Sequence, residues 1–173
     1  MIADLAVRRR RINWAKQICC DKLYSAGQQI CCIDSGYWSE PLPPFDNNGN
    51  LPSGIYDLRW LDFEEKFAIN EHRRRLTLGL KRALILLAQA GCQLVYVGGS
   101  FVTSKEYPND FDAWYDDMPI SFGTLDPIFD DRDALKVEFG GELFTSPPFQ
   151  FLQKDKNGNP RGIVALDPRE LLK

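Results

Sequence analysis

The sequence predicts a mixed α/β fold of the α+β kind, and three observations point to it. Leu76, Leu80, Ala83, Leu84 and Leu87 recur at steps of three and four, which lines them up as one helical stripe. Cys92 to Val97 is a short run rich in β-branched and aromatic residues, as a buried strand requires. Asp110 to Trp114 alternates between acidic or aromatic and apolar positions, with the period of two expected of a strand.

The remaining elements follow in order. Trp60 to Phe67 is short and mixed, a helical turn or a first helix. The long helix is expected from Glu71 to Ala90, with Asn70 as N-cap and Gly91 just past its end. Its basic positions, Arg73, Arg74, Arg75, Lys81 and Arg82, form a solvated face or one that meets a phosphate-bearing ligand. Phe101 to Glu106 is expected to form a short helix closed by Tyr107-Pro108-Asn109, because proline disfavours helical geometry in the residue before it. Residues 116–142 are acidic and interrupted by Pro119, Gly123 and Pro127, and read as a loop. A hairpin is expected last, from Phe149 to Gln153, the turn Asn157-Gly158-Asn159-Pro160, and Gly162 to Asp167.

With 173 residues, 44% of them hydrophobic, the chain supports one ordinary core. Residues 1–50 read as an N-terminal extension that ends in turn formers, Asp46 to Asn50, typical of a linker. Residues 51–173 read as the functional domain. The 21 basic and 24 acidic residues leave a formal net charge of −3, which excludes a wholesale basic coat for nucleic acid. Arg8 to Arg11 is a local basic run, either solvated or anion-binding. No apolar run has the 18 or so residues of a spanning helix, and Met1 to Arg11 lacks the apolar stretch of a secretory signal. The expectation is a cytoplasmic protein without a membrane segment. Five cysteines, Cys19, Cys20, Cys31, Cys32 and Cys92, are an odd number poorly suited to a disulfide framework. Adjacent pairs are also poor zinc ligands.

Three features carry candidate chemistry. Gly98-Gly99-Ser100 lies between a strand and a helix, where glycines admit a close ligand and helix-start N–H groups meet phosphate. Asp110 and Asp112 are two apart on one strand and so share a face. Two like charges there are unfavourable unless a cation sits between them, and carboxylate oxygens suit Mg²⁺ or Mn²⁺. Asp167 ends the run Gly162 to Leu166 in line with Ile163 and Ala165. It is a third carboxylate at the site, the N-cap of a turn opened by Pro168, or both at once.

Gly98-Gly99-Ser100, then Asp110-Phe111-Asp112, then a later strand ending in an acid, together resemble the polymerase-β-type nucleotidyltransferases, and most closely their minimal single-domain bacterial members. The resemblance covers Leu51 to Asp167. It implies a mixed sheet with helices packed on one face and the site at the sheet edge. Asp110, Asp112 and Asp167 would hold two divalent ions, Mg²⁺ or Mn²⁺, and act as the catalytic set. Gly98, Gly99 and Ser100 would grip the phosphates of an NTP, expected to be ATP. Where family members frequently carry arginine and glycine after the serine, this chain has Phe101, Val102, Thr103 and Ser104, leaving Lys105 as the nearby cation, phosphate-binding or solvated. The implied activity is transfer of a nucleoside monophosphate to a protein or small acceptor, with a toxin–antitoxin or defence partnership by analogy. The alternative is an inactive scaffold of the same fold that works by protein–protein contact. Between Glu106 and Glu142 eleven acidic residues face only Arg132 and Lys136, a local net of −9. That disfavours a nucleic-acid acceptor. Phe139 to Phe144, Phe-Gly-Gly-Glu-Leu-Phe, resembles a segment of uncharacterised bacterial relatives from which no activity can be inferred.

Overall fold

The computed structural model of the protein describes residues 42–121 and 123–173. Arg8 to Arg11 and the cysteine pairs Cys19-Cys20 and Cys31-Cys32 lie outside the described residues. Within them the chain is α+β, with five strands in one mixed sheet and three α-helices. No described helix is long and apolar enough to cross a membrane.

Strand β1 (Ile55–Asp57) is followed by α1 (Trp60–Phe67) and α2 (Glu71–Gln89). The strand β2 (Val95–Gly98) leads through a 3₁₀ turn at Gly99–Val102 to β3 (Phe111–Tyr115). Helix α3 (Arg132–Phe139) runs directly into β4 (Gly141–Phe144), and β5 (Ile163–Leu166) comes last. The order across the sheet is β1-β5-β2-β3-β4. The outer pairs β1–β5 and β3–β4 are parallel, and β2 runs antiparallel to both of its neighbours.

The expected helical stripe is the core. Leu80, Ala83, Leu84 and Leu87 are fully buried and Leu76 nearly so, each contributing about 1–3 kcal/mol by leaving water. Asn70 caps α2 by accepting from Arg73 N at 2.8 Å. Gly91, at φ +104°, ends it. On the helix-covered face, α1 adds Phe63 and Phe67, whose rings lie 4.9 Å apart. The strands add Val95, Val97, Phe111 and Ala113. The opposite face carries a smaller cluster in which Tyr96 and Phe149 lie 4.4 Å apart. Leu152, Ile163 and Ala165 complete it.

Four expectations change. The basic face of α2 is not uniformly solvated: Arg74 and Arg75 are exposed and pair loosely with Glu71, but Arg73 is 1% exposed. Residues 116–142 hold α3, whose N-cap Asp131 accepts from Asp133 N and Ala134 N. Only Leu135 and Phe139 of α3 are buried, too short a stripe to stand out among acids. Phe149–Gln153 is a 3₁₀ turn rather than a strand, since Pro147 and Pro148 remove two ladder donors just before it. Asp46 to Asn50 is an ordered turn rather than a linker, with Asp46 Oδ1 accepting from Asn48 N and Asn50 N. The same bonds recur at Asp155, Asn157 and Asn159. Leu42 and Phe45 pack on the main core, so the folded unit begins before residue 51.

Helices α2 and α3 touch through backbone. A Cβ at Gly79 would lie 1.8 Å from the carbonyl oxygen of Phe139, so only glycine lets the end of α3 approach this closely.

Candidate functional site

Antiparallel pairing sets Gly98 opposite Asp112, so the two sequence motifs are cross-strand neighbours at one end of the sheet. The glycines there serve internal packing. A Cβ at Gly99 (φ +69°) would lie 1.9 Å from Asp112 Oδ2, and one at Gly98 would lie 2.8 Å from Leu152 Cβ. The space expected for a ligand at Gly98 is therefore filled by Leu152. The expected helix at Phe101 to Glu106 is the four-residue turn Gly99–Val102. Ser100 is half-buried on it, and its carbonyl accepts from Thr103 Oγ1 at 2.7 Å. Lys105 is exposed.

The loop joining the motifs is gripped by the first turn of α2. Asn70 Nδ2 donates to Glu106 O at 2.9 Å, and His72 Nε2 lies 2.5 Å from Pro108 O. Arg73 reaches three carbonyls: Phe67 O at 2.6 Å, Lys105 O at 2.7 Å, and Phe101 O. Its guanidinium also lies 4.8 Å from the centre of the Phe101 ring. Burial lowers the Arg73 pKa. No carboxylate is seen paired with it among the described residues; peptide dipoles and the Phe101 ring support the charge.

The acids gather on the face opposite the helices. On β3, Phe111, Ala113 and Tyr115 are buried toward the helices, so Asp112 and Trp114 point the other way. Parallel pairing sets Asp112 beside Glu142 of β4. From α3, Lys136 Nζ reaches Asp110 Oδ2 at 2.6 Å and Glu142 Oε1 at 3.3 Å, and Arg132 pairs with the second Glu142 oxygen. Burial, then the charges of Asp110 and Glu142, raise the Asp112 pKa; Arg161 and Lys136 offset this in part. The Arg132 hydrogen bond, against burial and with help from Lys136, lowers the Glu142 pKa. Arg161 comes from the segment before β5, with Nε donating to Leu152 O at 3.0 Å. Burial lowers its pKa and the nearby Asp112 charge raises it.

Asp167 is not part of this group. Along β2, Asp112 pairs at Gly98, whereas β5 pairs through Leu166 at Val95. With strand rise and spacing, Asp167 falls roughly 15 Å from Asp112, at the other end of the sheet. There it caps the 3₁₀ turn Pro168–Leu172, accepting from Arg169 N at 3.0 Å, and pairs with the Arg169 side chain at 2.7 Å. Burial opposes ionisation of Asp167, but the Arg169 bonds prevail and lower its pKa. Of the two readings of this residue, the cap is what forms. The expected trio Asp110, Asp112 and Asp167 is thus two acids plus a stranger.

Glu142, Lys136, Arg132 and Arg161 were missed by sequence reasoning. Glu142 alone left a trace: it alternates with buried Gly141 and Leu143, a strand pattern inside the unexplained run 139–144. The others depend on which elements become neighbours. Among the described residues, no three His, Cys, Asp or Glu side chains form a group that could hold a metal ion. The donor chemistry of Asp110, Asp112 and Glu142, hard oxygens on one face, suits Mg²⁺ or Mn²⁺. The Lys136 ammonium is the cation between two of them. Cys92 is a buried thiol, pushed up to about 11 chiefly by burial.

The arrangement is an acid cluster balanced by bases, beside a glycine turn at one end of a mixed sheet. Neither a curated protein nor a solved structure matches this chain. A protein family does match, over residues 43–167, and the chain belongs to it: DUF6932, a family of unknown function.

Proposed function

We propose that the domain is a metal-dependent nucleotidyltransferase that moves a nucleoside monophosphate from an NTP, taken to be ATP, to a hydroxyl of a protein or small acceptor. One observation carries the reading: Asp110, Asp112 and Glu142 lie on one face at the end of β3 and β4, next to the turn that holds Gly99 and Ser100. On this reading Glu142 would serve where the sequence predicts Asp167.

On this reading Mg²⁺ or Mn²⁺ would have to draw Asp110, Asp112 and Glu142 together, since as they stand they form no group that could hold a metal ion; bound, it would lower the pKa of an attacking hydroxyl and neutralise charge at phosphorus. The chain's own residues do the rest. Arg161 is half-buried; its Nε donates to Leu152 O, and its terminal nitrogens would meet phosphate oxygens. It supplies the cation that Phe101 to Ser104 lack. Ser100 adds a hydroxyl on the same turn, and exposed Lys105 a second cation at the loop. Asp112, the carboxylate held against the Gly99 turn, would receive the acceptor's hydroxyl proton. A new bond forms between that oxygen and the α-phosphorus, the bond to the bridging oxygen breaks, and pyrophosphate leaves.

The test is transfer of α-labelled phosphate from ATP with Mg²⁺. Asp110→Ala and Asp112→Ala are expected to lose at least about a hundredfold in rate. Transfer at the wild-type rate by both variants would end the catalytic reading. Arg161→Met is expected to weaken Mg²⁺-ATP binding about tenfold in calorimetry. A second reading, an inactive scaffold that binds a protein partner such as a toxin or antitoxin, is favoured by Leu152 filling the space at Gly98. The same calorimetry separates the two, because a dead scaffold shows no Mg²⁺-dependent affinity for any NTP.

A further inference from the structure

The outer side of α2 carries a stripe that leads into a groove. Arg74, Arg75, Leu78, Arg82 and Ile85 recur at steps of three and four, which sets them on one side of the helix. Leu78 is 60% exposed. Toward the end of the stripe, Ile85, Leu86, Ile128 and Phe139 line a mainly apolar groove of about 370 Å³. The polar groups in its wall are occupied: Arg82 pairs with Glu138, and Asp126 accepts from Ile128 N at 2.9 Å. A small polar ligand would find no free group to fix its orientation. An apolar side chain would find a fit. The wall is also preformed, because Gly79 seats the Phe139 carbonyl against α2 backbone, so little ordering opposes association.

Charge is separated along the same stripe. Its first turn is basic: Arg74 and Arg75 are exposed and only loosely paired with Glu71. Its far end is acidic. Ser121 N donates to Ala90 O at 3.4 Å, just past α2, and the segment tied there continues into exposed Asp126 and Asp130 at the two ends of the 3₁₀ turn Pro127–Asp130. A surface basic at one end, acidic at the other and apolar between is complementary to itself when reversed. A two-fold axis crossing α2 between Lys81 and Arg82 reverses it in register. Leu78 and Ile85 each lie roughly 5 Å along α2 from that axis, so Leu78 of one copy meets the groove of the other. The same operation carries Arg74 and Arg75 to the level of Gln89 and Ala88, where the acidic segment is tied. Lys81 lies over the Trp60 ring at 5.7 Å, which draws it toward α1 and off the contact.

We propose that this face of α2, with its groove, is the contact surface of a two-fold dimer, and that its occupant is a second copy of this chain packed antiparallel.

The test is sedimentation velocity of the full chain from about 1 to 500 µM, a range that spans weak to moderate self-association. Wild type is expected to pass from monomer to dimer as concentration rises. Leu78→Glu puts a charge in the apolar middle and is expected to raise the dissociation constant at least about tenfold. Arg74→Glu/Arg75→Glu and Asp126→Lys/Asp130→Lys are each expected to sediment as monomers alone and as a dimer when mixed, because mixing restores opposite charges at both ends. Wild type that stays monomeric throughout overturns the proposal and leaves the face to a different protein. Dimerisation of Leu78→Glu at the wild-type constant places the contact elsewhere and overturns it, as does a mixture of the folded charge variants no more dimeric than its parts.

Discussion

Asp112 and Asp167 stand at opposite ends of the sheet, on the strands that flank β2, and the protein treats them in opposite ways. Asp167 has a local partner: Arg169, two residues on, meets its carboxylate with both backbone and side chain. The charge is satisfied where it stands, and the pKa falls. Asp112 has no such neighbour in sequence. It is pressed against the Gly99 turn, and burial first, then the charges of Asp110 and Glu142, raises its pKa. A satisfied carboxylate caps a turn and is finished. One held against like charges keeps a demand for a cation, and that demand is what marks the Asp112 end as the candidate site.

The largest effect expected from disturbing this contrast comes from the loop that supports the Asp112 end. Arg73→Met leaves the carbonyls of Phe67, Phe101 and Lys105 without their donor, and about 3 kcal/mol of stability is expected to be lost in urea denaturation. A loss under about 0.5 kcal/mol would show that water replaces the guanidinium freely. Next comes Asp167→Ala, which removes a cap and is expected to cost about 1 kcal/mol at neutral pH. Its label transfer and Mn²⁺ binding should match wild type; a hundredfold loss would return Asp167 to the site. The sign with pH follows from its lowered pKa. The stability Asp167 contributes is present above its unfolded value of 3.8 and fades as pH falls through the folded value, so the deficit of Asp167→Ala should shrink in acid. The smallest effect is of opposite sign. The raised pKa of Asp112 means that its charged form is disfavoured by folding, increasingly as pH rises through the folded value. Asp112→Asn is therefore expected to be as stable as wild type or slightly more so at neutral pH, in the same urea series.

What the sequence made legible was whatever depends on neighbours along the chain. The α2 stripe, its Asn70 cap and Gly91 end, and the strands around Val95 and Ala113 were all readable from periodicity and capping. The DFD pair was readable for the same reason, because alternation along one strand fixes two side chains to one face. The third acid was not, since its identity depends on strand order. Direction matters as much: β5 runs the same way as β3, so the acid after its last residue lies level with the far end of β3, whereas Glu142 near the start of β4 comes beside Asp112. Arg161 and Lys136 were hidden by the same ignorance. The Gly98-Gly99 pair misled in a different way. Glycine announces that something approaches closely, but not whether the visitor is a ligand or, as here, a leucine and an aspartate of the same molecule.

The notch at Gly79 limits how the acid cluster can change. Because the Phe139 carbonyl is seated against bare α2 backbone, α3 has no slack through which to slide or tilt. Rearrangement of the Lys136 side chain at Asp110 is therefore carried by rotation about its own four methylenes. Such rotations take picoseconds to nanoseconds, so the ion pairs of the cluster can break and re-form without moving its framework.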